Sequence, residues 1–263
     1  MKRKIIFLSV IQIVLAFTIK SQHDTMYIMK AGVVVRQYSL DTEIDSIIFY
    51  RPVSGTFTDT RDNNEYRWVN IGNQVWMAEN LKYLPEVTGS GTGSITTPSY
   101  YVHGYNGTVV ADAKATSNYS TYGVLYNWPA AMDGSSSSTT NPSGVQGVCP
   151  TGWHLPSSSE FTELTDYLGG TLTAGGSLKE TSTTHWTSPN NGATDDVNFT
   201  ALPGGYRVNT GSFGHLGTYG HWWTTSVYDA TLAWSFYLYY NEISVYNNAS
   251  YKEMGFSVRC VKD

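Results

Sequence analysis

Along residues 234–240, WSFYLYY, apolar and polar positions alternate. Trp234, Phe236 and Leu238 point one way and Ser235, Tyr237 and Tyr239 the other, the period of a half-buried strand. The same period in GFSVRCV (255–261) puts Phe256, Val258 and Cys260 on one face, opposite Ser257 and Arg259. Upstream, GTFTDTRDNNEYRWVNIGNQVWMAENL alternates strand and turn, with a hairpin expected at Asp62-Asn63-Asn64 and a turn at Gly72-Asn73. Val69, Ile71, Val75 and Trp76 are expected on or beside its buried face. Asn106-Gly107 is the strongest short hairpin signal in the chain. Three short β-like runs, 27–29, 33–38 and 47–50, precede Pro52 and Ser54-Gly55, which mark a boundary. They predict a small leader, either a meander of its own or an edge added to the larger unit beyond that boundary.

Helical spacing is rare. The clearest helix starts at Ser157, with Glu160 completing a capping box; Phe161, Leu164 and Leu168 form one stripe and Gly169-Gly170 end it. Shorter helices are expected over 177–181 and 128–132. The segments 89–99 and 133–144 are loops by composition, and no fixed-period repeat is present.

Composition agrees with a strand- and loop-rich globular protein: 14% of the 263 residues are charged and 14% aromatic, including 20 tyrosines and 8 tryptophans. Lys2, Arg3 and Lys4 lead an apolar run over 5–19 that fits a secretory signal better than a membrane span, although an uncleaved anchor is the competing reading. The expected organisation is a signal peptide over 1–21, a β leader over 22–53 and one domain over 54–263. The formal charge is −5, and the first 21 residues carry four cations and no carboxylate, so a chain cleaved there stands at −9. An acidic chain without a basic run is a poor partner for nucleic acid or an anionic membrane surface. Export to the periplasm, outer surface or medium is expected, with no membrane span after cleavage; the sequence leaves oligomeric state open.

Export makes the two cysteines interpretable. In an oxidising compartment Cys149 and Cys260 are most simply one disulfide, with two buried thiols as the alternative. Such a bridge would close a loop of roughly 110 residues, worth about 4–5 kcal/mol as an upper guide.

The segments GTFTDTRDNNEYRWVNIGNQVWMAENLKY, YGVLYNWPAAM, GVCPTGWHLPSSSEF, ALPGGYR, HWWTTS and GFSVRCV occur in one order. Together they closely resemble the Fibrobacter succinogenes major paralogous domain, found in secreted and surface proteins of Bacteroidetes and Fibrobacteres. The resemblance runs from about Gly55 to Val261, and DTEIDSIIFY resembles the segment that often precedes the domain. That family is similar in turn to the C-type lectin and formylglycine-generating-enzyme fold. The resemblance implies an α+β, C-type-lectin-like architecture with long irregular loops and few short helices. It also implies that Cys149 pairs with Cys260, tying the helix region to the last strand. The loop-stapling second disulfide of lectin domains has no counterpart, so packing or calcium must hold the loops, or they stay mobile.

Candidate chemistry comes from these same residues. A formylglycine-generating enzyme needs a reactive cysteine pair, and the only pair here is assigned to structure; no G-x-S-x-G elbow occurs and Ser157 to Ser159 are better explained by the helix cap. No catalytic residues are assigned and no enzyme is expected. The sugar-binding motifs of calcium lectins are absent, and no H-x-x-x-H pair suits a transition metal. Asp195, Asp196 and Asn198 are the calcium candidates, in a cluster that more often is a solvated turn. Trp222-Trp223, Tyr237, Tyr239, Tyr240 and Tyr246 are flat apolar surfaces for a sugar ring. In a strand about half must face inward, and Trp222-Trp223 lies inside a family motif, which favours packing. Arg207 is expected first as a buried ion-pair partner and second as a ligand contact. The expected role is a non-catalytic binding module for a glycan or a surface protein, with Arg207, Tyr237, Tyr239 and Tyr246 as ligand candidates. The alternatives are an enzyme on the related fold using other residues, or a purely structural surface component.

Overall fold

A computed structural model describes residues 4–7, 12–16, 25–30, 33–39 and 54–263. The chain divides into two compact units, Met1–Arg51 and Pro52–Asp263. In the first, β1 (Lys4–Phe7), β2 (Gln12–Ala16), β3 (Thr25–Lys30) and β4 (Val33–Ser39) pair in sequence order as an antiparallel meander. The leader strands expected near 27–29 and 33–38 are thus β3 and β4. The run expected over 47–50 lies outside the described residues. Cleavage after residue 21 would remove β1 and β2.

The second unit has an α+β architecture of several small antiparallel sheets and few short helices. One sheet, in the order β10-β16-β7-β6-β5, contains β5 (Ser54–Thr58), β6 (Glu65–Ile71), β7 (Gln74–Met77), β10 (Trp153–His154) and β16 (Val261–Lys262). The expected turns join its first three strands, and Asn63 and Gly72 take the positive φ those turns require. Between β7 and β10 run β8 (Tyr100–Tyr101), α1 (Val110–Lys114), α2 (Ser117–Tyr122), β9 (Leu125–Tyr126) and α3 (Trp128–Met132). After β10 come α4 (Ser158–Tyr167), α5 (Ala174–Leu178), a short ladder of β11 (Tyr206–Arg207) with β12 (Phe213–Gly214), and a second sheet. That sheet holds β13 (Tyr219–Val227), β14 (Leu232–Tyr239) and β15 (Val245–Tyr251) in sequence order.

Local chemistry explains where α4 starts. Ser157 Oγ accepts from Glu160 N at 3.2 Å while the Glu160 carboxylate accepts from Ser157 N at 2.9 Å, closing the capping box. Phe161 and Leu164 are buried, with Leu168 packed beside them, and α3 has the expected bounds. Two expectations are corrected. The helix predicted over 177–181 is α5, three residues earlier, because Lys179 leaves the helix to bridge Ala201. Asn106-Gly107 forms no hairpin: neither residue has the positive φ of a type I′ turn, and β8 pairs with β9 instead. Tyr105 claims this stretch, its hydroxyl donating to Val109 O and accepting from Val109 N.

The last segment separates two hydrophobic clusters. Phe256, Val258 and Cys260 enter one, with Tyr126, Trp153 and Trp223; Val261 joins the other, with Trp76, Phe161, Trp186 and Trp222. Ser257 and Arg259, on the opposite face, are buried as well, so this stretch is enclosed on both sides rather than half-solvated. Cys149 and Cys260 are disulfide-bonded, with Cα atoms 6.0 Å apart across 111 residues. The bridge fixes the strand end to the turn before α4, as the expected pairing requires. Replacing both cysteines with serine is expected to lower stability by about 2–5 kcal/mol in urea titration, and an unchanged midpoint would refute a stabilising role.

Candidate functional site

Loops are held by buried cations. Lys179 Nζ donates to the carbonyls of Glu242 at 2.7 Å, Asn191 at 2.9 Å and Tyr239 at 3.4 Å, with none of its surface exposed. Burial lowers its pKa to about 8, so the ammonium stays charged at neutral pH. Lys252 Nζ likewise donates to Asp229 O and Ala230 O. Arg259 donates to the carbonyls of Phe199 and Thr200 and to Asn80 Oδ1, its guanidinium 4.1 Å from the Phe199 ring centre; burial pushes its pKa down to about 9. These contacts hold the loop region in place.

Arg207 belongs to this set. It is 1% exposed, stacks on Tyr101 and donates to Ser90 O at 2.6 Å and Glu253 O at 2.8 Å. Its partners are carbonyls, where an ion pair was expected. Asp195 accepts from Thr200 N and Oγ1 at 2.7 and 2.9 Å, while Asp196 accepts from Thr194 Oγ1 at 2.7 Å. Burial lifts the pKa of Asp195 despite the two Thr200 hydrogen bonds. Asn198 N donates to Asp195 O, and Asp195, Asn198 and Thr200 all have positive φ. The three calcium candidates share a tight turn whose carboxylates are already occupied by threonines. Among the described residues no group of three or more His, Cys, Asp or Glu side chains is placed to hold a metal ion.

A cleft of about 610 Å3 gathers Gln74, Asn141, His154, Glu160, Glu163 and Asp263. His154 Nε2 meets Glu160 Oε1 at 2.6 Å and Nδ1 meets Asp263 Oδ1 at 2.7 Å. Burial alone would lower the imidazole pKa, but the two carboxylates outweigh it and raise the value. The other Glu160 oxygen accepts from Ser143 N and Ser157 N, and Glu163 Oε2 from Asn141 Nδ2 at 2.6 Å. Both nitrogens of the histidine and both oxygens of Glu160 are therefore engaged, and the imidazole links α4 to the residue after β16. Residue spacing carried no sign of this chain, because His154, Glu160 and Asp263 meet only through the β10–β16 pairing.

The second sheet carries a file of aromatic side chains. In register, His221 faces Tyr237 and Tyr237 faces Tyr246, while Tyr219 faces Tyr239. Two rungs result. His221–Tyr237 and Tyr237–Tyr246 are stacked at 4.9 and 5.1 Å between ring centres, and Tyr219–Tyr239 at 4.3 Å. Tyr206, from β11, meets His221 edge-on at 4.8 Å and stacks on His215 at 4.8 Å; Tyr240 meets Tyr239 edge-on. His215 and Tyr246 are exposed, Tyr206, Tyr219, Tyr237 and Tyr239 partly so, and His221 is 8% exposed. Burial pushes the His221 pKa down to about 3, so the imidazole is neutral, and raises those of Tyr219 and Tyr237.

The structure thus brings Tyr237, Tyr239 and Tyr246 together, while Arg207, Asp195, Asp196 and Asn198 lie elsewhere, hydrogen-bonded within the loop region. It adds Tyr206, His215, Tyr219 and His221. The period-two order of Tyr219, His221 and Trp223 in YGHWWTTSV was the available signal. Trp222 and Trp223 are both buried, one in each cluster, donating to Asn80 Oδ1 and Tyr126 O.

Fold and site together define a disulfide-linked α+β domain with a partly exposed aromatic sheet face. Over residues 69–262 the chain matches the Fibrobacter succinogenes major domain, and it belongs to that family. Neither a curated protein nor a solved structure matches it. Among the described residues no helix is long and apolar enough to cross a membrane.

Two outcomes test the buried polar groups. Lys179→Met should orphan three carbonyls, costing about 1–3 kcal/mol for each left without a donor, with faster amide exchange around residues 190–198 and 240–244. Unchanged exchange there would refute the pin. The raised pKa of His154 means its contribution is fully present below its ordinary 6.5 and is lost as pH climbs through the folded value. The stability gap between the native chain and His154→Gln should be larger near about pH 5.5 than near about pH 9, read by urea unfolding at both.

Proposed function

We propose that this chain is an exported, non-catalytic binding module of C-type-lectin-like architecture, and that it takes glycan on the aromatic face of β13–β15. The carrying observation is the pair of stacked rungs, Tyr219–Tyr239 and His221–Tyr237–Tyr246, left partly open to solvent on a rigid sheet. Aromatic rings supply apolar contact at low entropic cost, and their hydroxyls and edges supply hydrogen bonds. The lectin-like placement is supported by the bridge from the α4 region to the last strand and by the long pinned loops. Export is supported by the same bridge, since disulfides persist in oxidising compartments. A binding role is favoured over catalysis because the titratable groups of the His154 cleft are spent on one another and on the α4 cap.

The purified chain without its first 21 residues should be retarded in native gels containing polysaccharide. The triple variant Tyr237→Ala, Tyr239→Ala, Tyr246→Ala should lose that retardation, and a calcium chelator should leave it intact. A panel of polysaccharides none of which retards the protein would overturn the glycan reading.

A further inference from the structure

Stacked rings hide one another's faces, which decides where on this surface a ligand can stack. In the longer rung His221 lies between Phe256 at 4.6 Å and Tyr237 at 4.9 Å, and Tyr237 lies between His221 and Tyr246 at 5.1 Å. The planes are within 22° of parallel, and the spacings match the roughly 4.8 Å between neighbouring strands. Rings arranged this way stand in file across the sheet and turn their edges and hydroxyls outward. Tyr246 is the exception. It sits on β15, the edge of its sheet, and among the described residues no ring stacks on its far side. At 36% exposure it ends the file with one face uncovered. Asn248, two residues on and therefore on the same side of the strand, is also exposed.

Charge narrows what can dock there. Residues 52–263 hold nine Lys and Arg against seventeen Asp and Glu. Four of the nine, Lys179, Arg207, Lys252 and Arg259, are buried. Arg61 and Arg67 are paired with Asp59 and Glu79. Lys114 and Lys262 lie over Tyr119 and Trp68, and Lys82 follows β7 with its backbone N–H bonded to the Tyr66 hydroxyl. Among the described residues no Lys or Arg lies over Tyr219, His221, Tyr237, Tyr239 or Tyr246. His221, within the file, is uncharged. Among the described residues no Lys or Arg stands over these rings to neutralise a carboxylate or sulfate, and the unit's net negative charge repels one.

We propose that Tyr246 and Asn248 form the principal subsite of this face, where one sugar ring of a neutral polysaccharide stacks on the open Tyr246 ring while its hydroxyls bond the Asn248 amide. This rests on the glycan reading above and adds to it the ligand class and the residue that stacks. The interior tyrosines support Tyr246 in its orientation and contact the ligand through their edges.

Native gels containing galactomannan, xyloglucan or hydroxyethyl cellulose as neutral polymers, and polygalacturonate or dextran sulfate as anionic ones, test this. Retardation is expected in at least one neutral gel and in neither anionic one. Tyr246→Ala should weaken it roughly tenfold or more and Asn248→Ala and Tyr239→Ala less, with Tyr246→Phe keeping most of what Tyr246→Ala loses, while Tyr167→Ala, exposed on α4 and outside this face, stays within about twofold of the native chain. An unfolding midpoint close to that of the native chain keeps misfolding out of the comparison. Equal losses for Tyr239→Ala and Tyr246→Ala would overturn the edge subsite and leave the aromatic face as the binding surface. Stronger retardation in the anionic gels would overturn the neutral class. No retardation in any gel would remove the glycan reading and this inference together.

Discussion

A buried cation that gathers backbone carbonyls is the interaction on which the rest of this domain depends. Taking an ammonium or guanidinium out of water is costly unless its donors are satisfied. Here Lys179, Arg207, Lys252 and Arg259 meet that requirement mainly with carbonyls of irregular segments. The arrangement solves two problems at once. The charge gains charge-assisted hydrogen bonds, and loop carbonyls that no strand or helix would pair gain donors. A domain with one disulfide and long loops can in this way keep those loops fixed.

The aromatic face inherits its rigidity from these pins. Lys179 holds Tyr239 O and Glu242 O, the exit of β14 toward β15, and so sets how Tyr246 approaches Tyr237. Arg207 is the neighbour of Tyr206, whose ring leans on His221. Phe256, three residues before Arg259, closes the buried end of the longer rung. Burial and exposure are two sides of the same strands: Phe236 and Leu238 pack into the core beneath while Tyr237 and Tyr239 are partly exposed beside them.

What the sequence made legible was local. The cap of α4, the turns at Asn63 and Gly72, and the alternation in β14 stem from side chains within a few residues of one another. Cys149 and Cys260 were readable because only two cysteines exist, and the family resemblance supplied the pairing. Tertiary partners were not legible. Asn106-Gly107 has hairpin chemistry, yet β8 finds its mate in β9, and the intervening chain is claimed by a tyrosine hydroxyl. Ser257 and Arg259 look solvent-facing by alternation, but a second cluster covers them. Tyr237, Tyr239 and Tyr246 were visible as aromatic residues, whereas their stacking with Tyr219 and His221 exists only once β13, β14 and β15 are in register.

The segment from Phe256 to Val261 walls both hydrophobic clusters. A polypeptide emerging amino end first holds most of each cluster ready long before that wall arrives. Until then Trp223 lacks Phe256 and the thiol of Cys149 has no mate. The segment 256–261 therefore closes both clusters, and until it is in place the partly folded chain keeps apolar surface and a thiol uncovered.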